Sequence, residues 1–180
     1  MRKIGVRFLL GAFCVVALAV AIVRVRADEE DIVMRARLTG FEEVGAPVLA
    51  PNPTPATGTF RASLREDGTT LDYKLTWTNN LTSPVLFAHI HFAMRGVNGG
   101  VMAFLCGGGG KPACSGGVAT GTITAADIRA IASQGFTANN FTDFLRSIRS
   151  GDGYANLHTV NFPGGEIRGQ IQVHGDHDRD

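Results

Sequence analysis

Residues 59–77, TFRASLREDGTTLDYKLTW, alternate apolar and polar side chains on both sides of a glycine turn. Phe60, Ala62 and Leu64 fall on one face of the first half, and Leu71, Tyr73, Leu75 and Trp77 repeat the pattern in the second. A period of two belongs to a strand with one buried face. Asp67-Gly68 readily supplies the positive φ that a tight reversal requires, so the stretch reads as a β-hairpin. Upstream, Val33, Arg35, Arg37 and Thr39 alternate with Met34, Ala36 and Leu38. Between them the proline-rich run APVLAPNPTPATG (46–58) suits neither a helix nor a central strand. Downstream, 85–92, 100–105, 118–124, 154–160 and 166–173 are further strand candidates.

Residues 125–150 break the alternation. Phe141, Phe144, Leu145 and Ile148 fall at i, i+3, i+4 and i+7, which predicts a helix with Asn140 as N-cap and Gly151 just past its end. A shorter helix over 125–133, starting at Thr124 with Asp127 in its first turn, is also expected. The fold class is therefore all-β: an antiparallel, Greek-key-like β-sandwich or barrel of about eight strands, with a short helical insertion at 125–150.

The chain starts with a basic stretch, Arg2, Lys3 and Arg7, followed by an uncharged apolar run from Phe8 to Val23 and a small residue at Ala27. This is the layout of a secretory signal peptide over 1–27, an uncleaved N-terminal anchor being the alternative. An acidic leader (28–31), one domain (32–173) and a polar tail (174–180) follow. Of 17 basic residues five precede position 28, leaving 12 against 16 acidic ones, a net charge of −4. That balance argues against a nucleic-acid partner, and no later stretch is apolar enough to span a membrane. The expected location is the periplasm or the extracellular space. In that oxidising setting Cys106 and Cys114, flanking GGGGKPA, are expected to form a disulfide. Their spacing is unlike a zinc knuckle.

The chemistry concentrates in FAHIHFAMRGVNGGV (87–101). His89 and His91 share a strand face with Phe87, their backbones about 7 Å apart, and can converge on one ion. His158, in YANLHTVNFPGGEIRGQI (154–171), shares a face with Tyr154 and Asn156. If the two strands are neighbours, His158 completes a three-histidine cluster suited to copper or zinc. Glu166 and Arg168 share the next strand face, and an ion pair between them is the simpler account. The sharper one has Glu166 orienting a histidine. Met94 reads as a loop residue packed under glycine turns, and Trp77, Phe60, Tyr73 and Phe104 read as core. His174 and His177 fall in a solvated tail. Gly107–Gly110 lacks the Lys-Ser/Thr pair of a phosphate loop, and no serine or cysteine stands in a nucleophile's setting.

GFEEVGAPVLAPNPTPATGTF, LREDGTTLDYKLTW, AHIHFAMRGVNGGV, GTITAADI and SGDGYANLHTVNFPGGEIRGQI follow, in that order, the pattern of the CHRD domain. This module is named after chordin and also occurs as single-domain secreted bacterial proteins. The resemblance covers roughly 32–173, with departures at Ala93 and Gly100, where the family often has glycine and proline. It implies an extracellular β-sandwich and no defined activity; in chordin the module accompanies the binding of secreted growth factors. A weaker resemblance links FAHIHFAMRG to the copper strand of copper/zinc superoxide dismutases, with His158 as the later copper histidine. Those enzymes need a bridging histidine and a zinc set, and no histidine lies between His91 and His158.

The leading expectation is a non-enzymatic, extracytoplasmic structural or interaction module with a protein partner the sequence does not name. There, His89, His91 and His158 bond to backbone, Asn156 and Glu166. The alternative is a copper- or zinc-binding protein using the three histidines, with superoxide dismutation as a special case.

Overall fold

The computed structural model of the protein describes residues 32–44 and 51–174. The expected signal peptide, the acidic leader and the tail beyond His174 lie outside the described residues. Nine strands fall within them: β1 (Val33–Thr39), β2 (Thr57–Leu64), β3 (Leu71–Trp77), β4 (Val85–Phe92), β5 (Gly100–Cys106), β6 (Val118–Ile123), β7 (Gly153–Thr159), β8 (Ile167–Gln170) and β9 (Gln172–His174). Their hydrogen-bonded order is β5-β4-β7-β8-β1-β2-β3-β6, with β9 paired to β1. All pairings are antiparallel. The end strands β5 and β6 lie against each other, so the sheet curls into a nearly closed barrel.

The hairpin forms as its alternation requires. Leu64 pairs with Leu71, Gly68 takes φ +66°, and the Asp67 carboxylate accepts from the Thr69 and Thr70 amides at 2.7 and 3.1 Å. The inward face supplies the core: Met34, Leu38, Phe60, Leu71, Leu75 and Ile90 are all fully buried. Trp77 and Phe104 are only half-buried. The strand expected over 166–173 is two strands. At Ile171 the chain leaves β7 and re-pairs with β1, ending at His174 opposite Val33.

Helix α1 (Phe141–Arg149) begins where expected. The Asn140 side chain accepts from the Asp143 amide at 3.0 Å, and Phe141, Phe144, Leu145 and Ile148 face inward. The shorter helix does not form. The Thr124 amide and hydroxyl donate to the Asp127 carboxylate at 2.9 and 3.1 Å, but only a single 3₁₀ turn follows at 125–127, with a second turn at 132–134. Arg129 N–H donates instead to Met102 O on β5 (2.9 Å), and Ile131 pairs with Phe136, so the backbone bonds sideways rather than along a helix.

The seam between β5 and β6 is held by side chains. Tyr73 OH donates to Leu105 O at 2.6 Å. Lys111 reaches Thr122 O on β6 (2.7 Å) and the Asp127 carboxylate (2.6 Å). Cys106, the last residue of β5, is bonded to Cys114 in the loop leading to β6. The disulfide therefore staples the loop that bridges the open seam. Its short loop implies a contribution of about 2.5 kcal/mol by chain entropy. Non-reduced protein is expected to contain no alkylatable thiol at these positions, and reduction should lower the melting temperature while leaving the β signal in circular dichroism. Two free thiols in protein folded under oxidising conditions would contradict the pairing.

Candidate functional site: three histidines on the outer wall of the barrel

β4 and β7 are neighbours, as the three-histidine reading requires: His89 pairs with Asn156 and His91 with Tyr154, and Phe87 stands opposite His158. The alternation also holds, with Ala88, Ile90, Ala155 and Leu157 pointing into the barrel. The three histidines occupy the opposite face. It is buried as well: His89, His91 and His158 keep 5%, 8% and 6% of their surface.

A second layer of loops covers this face. Asn98 Nδ2 donates to Val44 O at 2.7 Å, Asn52 Nδ2 donates to Gly165 O at 2.8 Å, and Arg95 pairs with Glu42. Gly99 makes one of the closest approaches. A Cβ there would stand 1.8 Å from Phe92 O. Only glycine lets the chain run this close to β4, which brings its carbonyl to His91.

The ring nitrogens are ordered by what they touch. His91 Nδ1 donates to Gly99 O and His158 Nδ1 to Pro163 O, both at 2.9 Å, because a carbonyl can only accept. In the neutral rings both Nε2 atoms then carry a lone pair. His89 Nδ1 lies 3.2 Å from His91 Nε2 and donates to it. His158 Nε2 is buried without a hydrogen-bond partner. One nitrogen from each ring lies within 4.8 Å of the others. Phe87 and Phe104 pack on His89 at 4.8 and 4.6 Å between ring centres. Burial pushes all three imidazoles down, His89 to about 2 and His91 and His158 to about 4. For His89 and His91 the neighbouring rings add to that effect, and the bonds to Gly99 O and Pro163 O oppose it for His91 and His158. They are neutral at physiological pH.

Behind the histidines runs a stack that sequence reading did not find. The Tyr154 ring lies parallel to His91 at 4.7 Å, and the buried Arg168 guanidinium sits 3.4 Å from the centre of the Tyr154 ring. Tyr154 OH accepts from Gly99 N–H at 3.2 Å, tying the stack to the loop that holds His91. Arg168 donates to Met94 O (3.1 Å) and Asn98 Oδ1 (3.3 Å). Met94 contributes this carbonyl only, its side chain being 62% exposed rather than packed under the turns. Asn156 donates to Glu43 Oε2 (2.6 Å) and to Ile167 O (3.0 Å), and touches no histidine nitrogen. Glu43 is itself buried, and desolvation raises its carboxyl above the ordinary range. GFEEVG gives no periodicity that would single out Glu43 as the buried glutamate and leave Glu42 outside.

Glu166 does neither thing expected of it. It precedes β8, so strand alternation does not place it beside Arg168. It turns away, and its carboxylate accepts from Thr54 Oγ1 (2.9 Å), the Thr82 amide and hydroxyl (2.9 and 2.8 Å) and Thr159 Oγ1 (2.6 Å). This clamp ties three loops together beside the histidines without orienting any of them.

A family model, the CHRD domain, matches residues 34–171. The chain belongs to the CHRD family. No curated protein and no solved structure gives a match. The matched span contains every residue of the histidine cluster, its backbone acceptors and the Glu166 clamp. The CHRD domain thus carries the outer layer together with the barrel.

Two outcomes follow from the burial. The three histidines of the CHRD domain have depressed values, so the unfolded chain, titrating near 6.5, binds protons that the fold refuses. Stability of the metal-free protein is expected to be full above about pH 6.5 and to fall as pH drops towards 4. The slope should approach three protons, about 4 kcal/mol per pH unit. Urea midpoints at pH 7, 6 and 5 measure it, and a flat profile would contradict the burial of neutral rings. Separately, Glu166→Ala leaves the threonine donors without an acceptor and should cost about 3 kcal/mol, with Glu166→Gln costing roughly half. Denaturation at pH 7 tests both.

Proposed function

We propose that this CHRD domain is an exported module that binds one copper or zinc ion on His89, His91 and His158. The observation that carries the reading is the unpartnered, buried His158 Nε2, converging with the other two rings. A buried polar nitrogen without a partner costs stability unless something fills the place beside it. A metal ion does so, and it requires the neutral imidazoles that burial enforces here. Backbone carbonyls on His91 Nδ1 and His158 Nδ1 fix the tautomer that leaves Nε2 to the metal, the usual arrangement behind a ligating histidine. Three neutral nitrogens suit copper or zinc over harder ions, and three protein ligands leave room for an exchangeable fourth. Export is supported by the basic-then-apolar start of the sequence, by the Cys106–Cys114 disulfide and by the family. Among the described residues no helix is long and apolar enough to cross a membrane.

A second reading keeps the family's simpler role, a non-enzymatic structural or interaction module. The contact between His89 Nδ1 and His91 Nε2 favours it, since two of the rings then satisfy each other without a metal. Metal content after loading and desalting separates the two. The proposal expects close to one copper or zinc per chain, a raised melting temperature, and loss of both effects in His158→Ala and His91→Ala. Stoichiometry well below one, unchanged in His91→Ala, would leave the interaction module as the function. Copper-loaded protein that fails to remove superoxide would exclude dismutation while leaving binding intact.

A further inference from the structure

The outward face of β1, β2 and β3 carries like charges in register. Arg35, Arg61 and Lys74 stand directly opposite one another across the three strands, and all are exposed. Arg37, two residues along β1, adds a fourth cation. Among the described residues none of the four has an ion pair, a side-chain hydrogen bond or a ring contact. Elsewhere Arg65 grips Asp72, Arg95 grips Glu42 and Arg146 reaches Asp143, while Arg149 on α1 is a single exposed cation rather than one of a row.

Neighbouring strands are about 4.8 Å apart, so directly opposed like charges repel and weaken the sheet. Protection of an exposed edge, a common use of outward lysine, does not explain them. Each of β1, β2 and β3 has partners on both sides. The row also runs into a groove of about 350 Å³ lined by Arg35, Arg37, Thr39, Gln170 and Gln172, with the Arg95–Glu42 ion pair on its wall.

We infer that this face binds an acidic polysaccharide, a carboxylated or sulfated sugar chain lying across β1–β3. Guanidinium forks grip carboxylates and sulfates at two points. Thr59, Ser63, Thr76 and Gln172, standing beside the cations, offer hydroxyl and amide partners for sugar hydroxyls. The same positions argue against other polyanions. The outward residues of β1–β3 are valine, arginine and threonine on β1, threonine, arginine and serine on β2, and aspartate, lysine and threonine on β3. They hold no aromatic side chain on which bases could stack, and Val33 alone to enter a lipid surface.

Binding of the purified protein to polygalacturonate and to dextran sulfate, with neutral dextran as control, tests the inference. Both acidic polymers should bind at low ionic strength and release steeply with salt. Arg35→Gln, Arg61→Gln and Lys74→Gln together should weaken binding about tenfold or more, as expected of three modest ionic contacts. Their melting temperature should be unchanged or raised by relief of repulsion. Arg61→Glu alone should produce a similar loss. Arg149→Gln, exposed on α1, should stay within about twofold of the parent. Equal binding by the parent and the triple variant, retention on neutral dextran, or tighter binding to anionic vesicles or single-stranded DNA would each overturn it.

Discussion

The structure depends on one constraint: the wall formed by β4 and β7 is buried on both faces. A strand of a half-wetted barrel can place its polar residues outward and leave their hydrogen bonds to water. β7 has no such outlet, since all seven of its residues are buried. Polar groups on its outer face need partners within the protein, and His158 Nε2 is the one left without. Asn156 finds Glu43 and a strand carbonyl, Tyr154 finds the Gly99 amide, and His158 finds Pro163 O. The loops at 40–44, 51–56, 93–99 and 161–166 are positioned by these needs as much as by their own chain direction. Gly99 and Gly165 show the tolerance involved, since a Cβ at either would stand within 2.5 Å of a backbone or carboxylate oxygen.

Much of this fold was legible because it rests on local alternation. The 59–77 hairpin and the helix after Asn140 follow from a periodic pattern and local turn or cap residues, and the pairing of Cys106 with Cys114 from two cysteines flanking a flexible glycine tract in a chain read as exported. The three-histidine cluster was legible for the same reason: two residues apart on one strand share a face, and His158 needed only the β4–β7 pairing to join them. What could not be read was the cover. It is made of segments without period, and its contacts span more than 50 residues of sequence, as from Asn98 to Val44 or Asn52 to Gly165. Glu166 and Arg168 illustrate the loss. Their spacing suggested one shared face, but β8 starts between them, so one joins a threonine clamp and the other a stack on Tyr154. The helix expected at 125–133 failed for a related reason. Its caps are real, yet Met102 O offers the Arg129 amide a tertiary partner that a continuing helix would deny.

The cover also gives the histidines their chemical character. On an open strand face they would titrate near 6.5 and serve as a charge switch. Under the loops they are neutral, and their Nδ1 protons are committed to main-chain carbonyls that no substitution of the acceptor residue removes. That combination fixes which nitrogen of His91 and of His158 carries the lone pair. His89 differs, because its Nδ1 proton is held by His91 rather than by backbone. To offer Nδ1 to the proposed metal ion, His89 would carry its proton on Nε2 instead, the tautomer that also frees His91 Nε2.

The extent of the cover follows from charge. Among the described residues, the loops enclose the outer face of β4, β7 and β8, while Arg35, Arg37, Arg61 and Lys74 on β1–β3 stay exposed. Within the enclosed part stands one strand cation, Arg168, and it is accommodated only by a tyrosine ring, two oxygen acceptors and the nearby Glu43 carboxylate. Those partners come from three segments: β7, the 93–99 loop and the 40–44 loop. Enclosing Arg35, Arg37, Arg61 and Lys74 would require such a set four times over, because an unpaired buried cation costs several kcal/mol, of order 3–5. Among the described residues, Asp72 shares this face but is held by Arg65, and Glu42, which lines the groove with Arg35 and Arg37, is held by Arg95. The barrel's exterior is therefore divided by what its strands carry: neutral imidazoles where the loops close over it, and bare cations where they cannot.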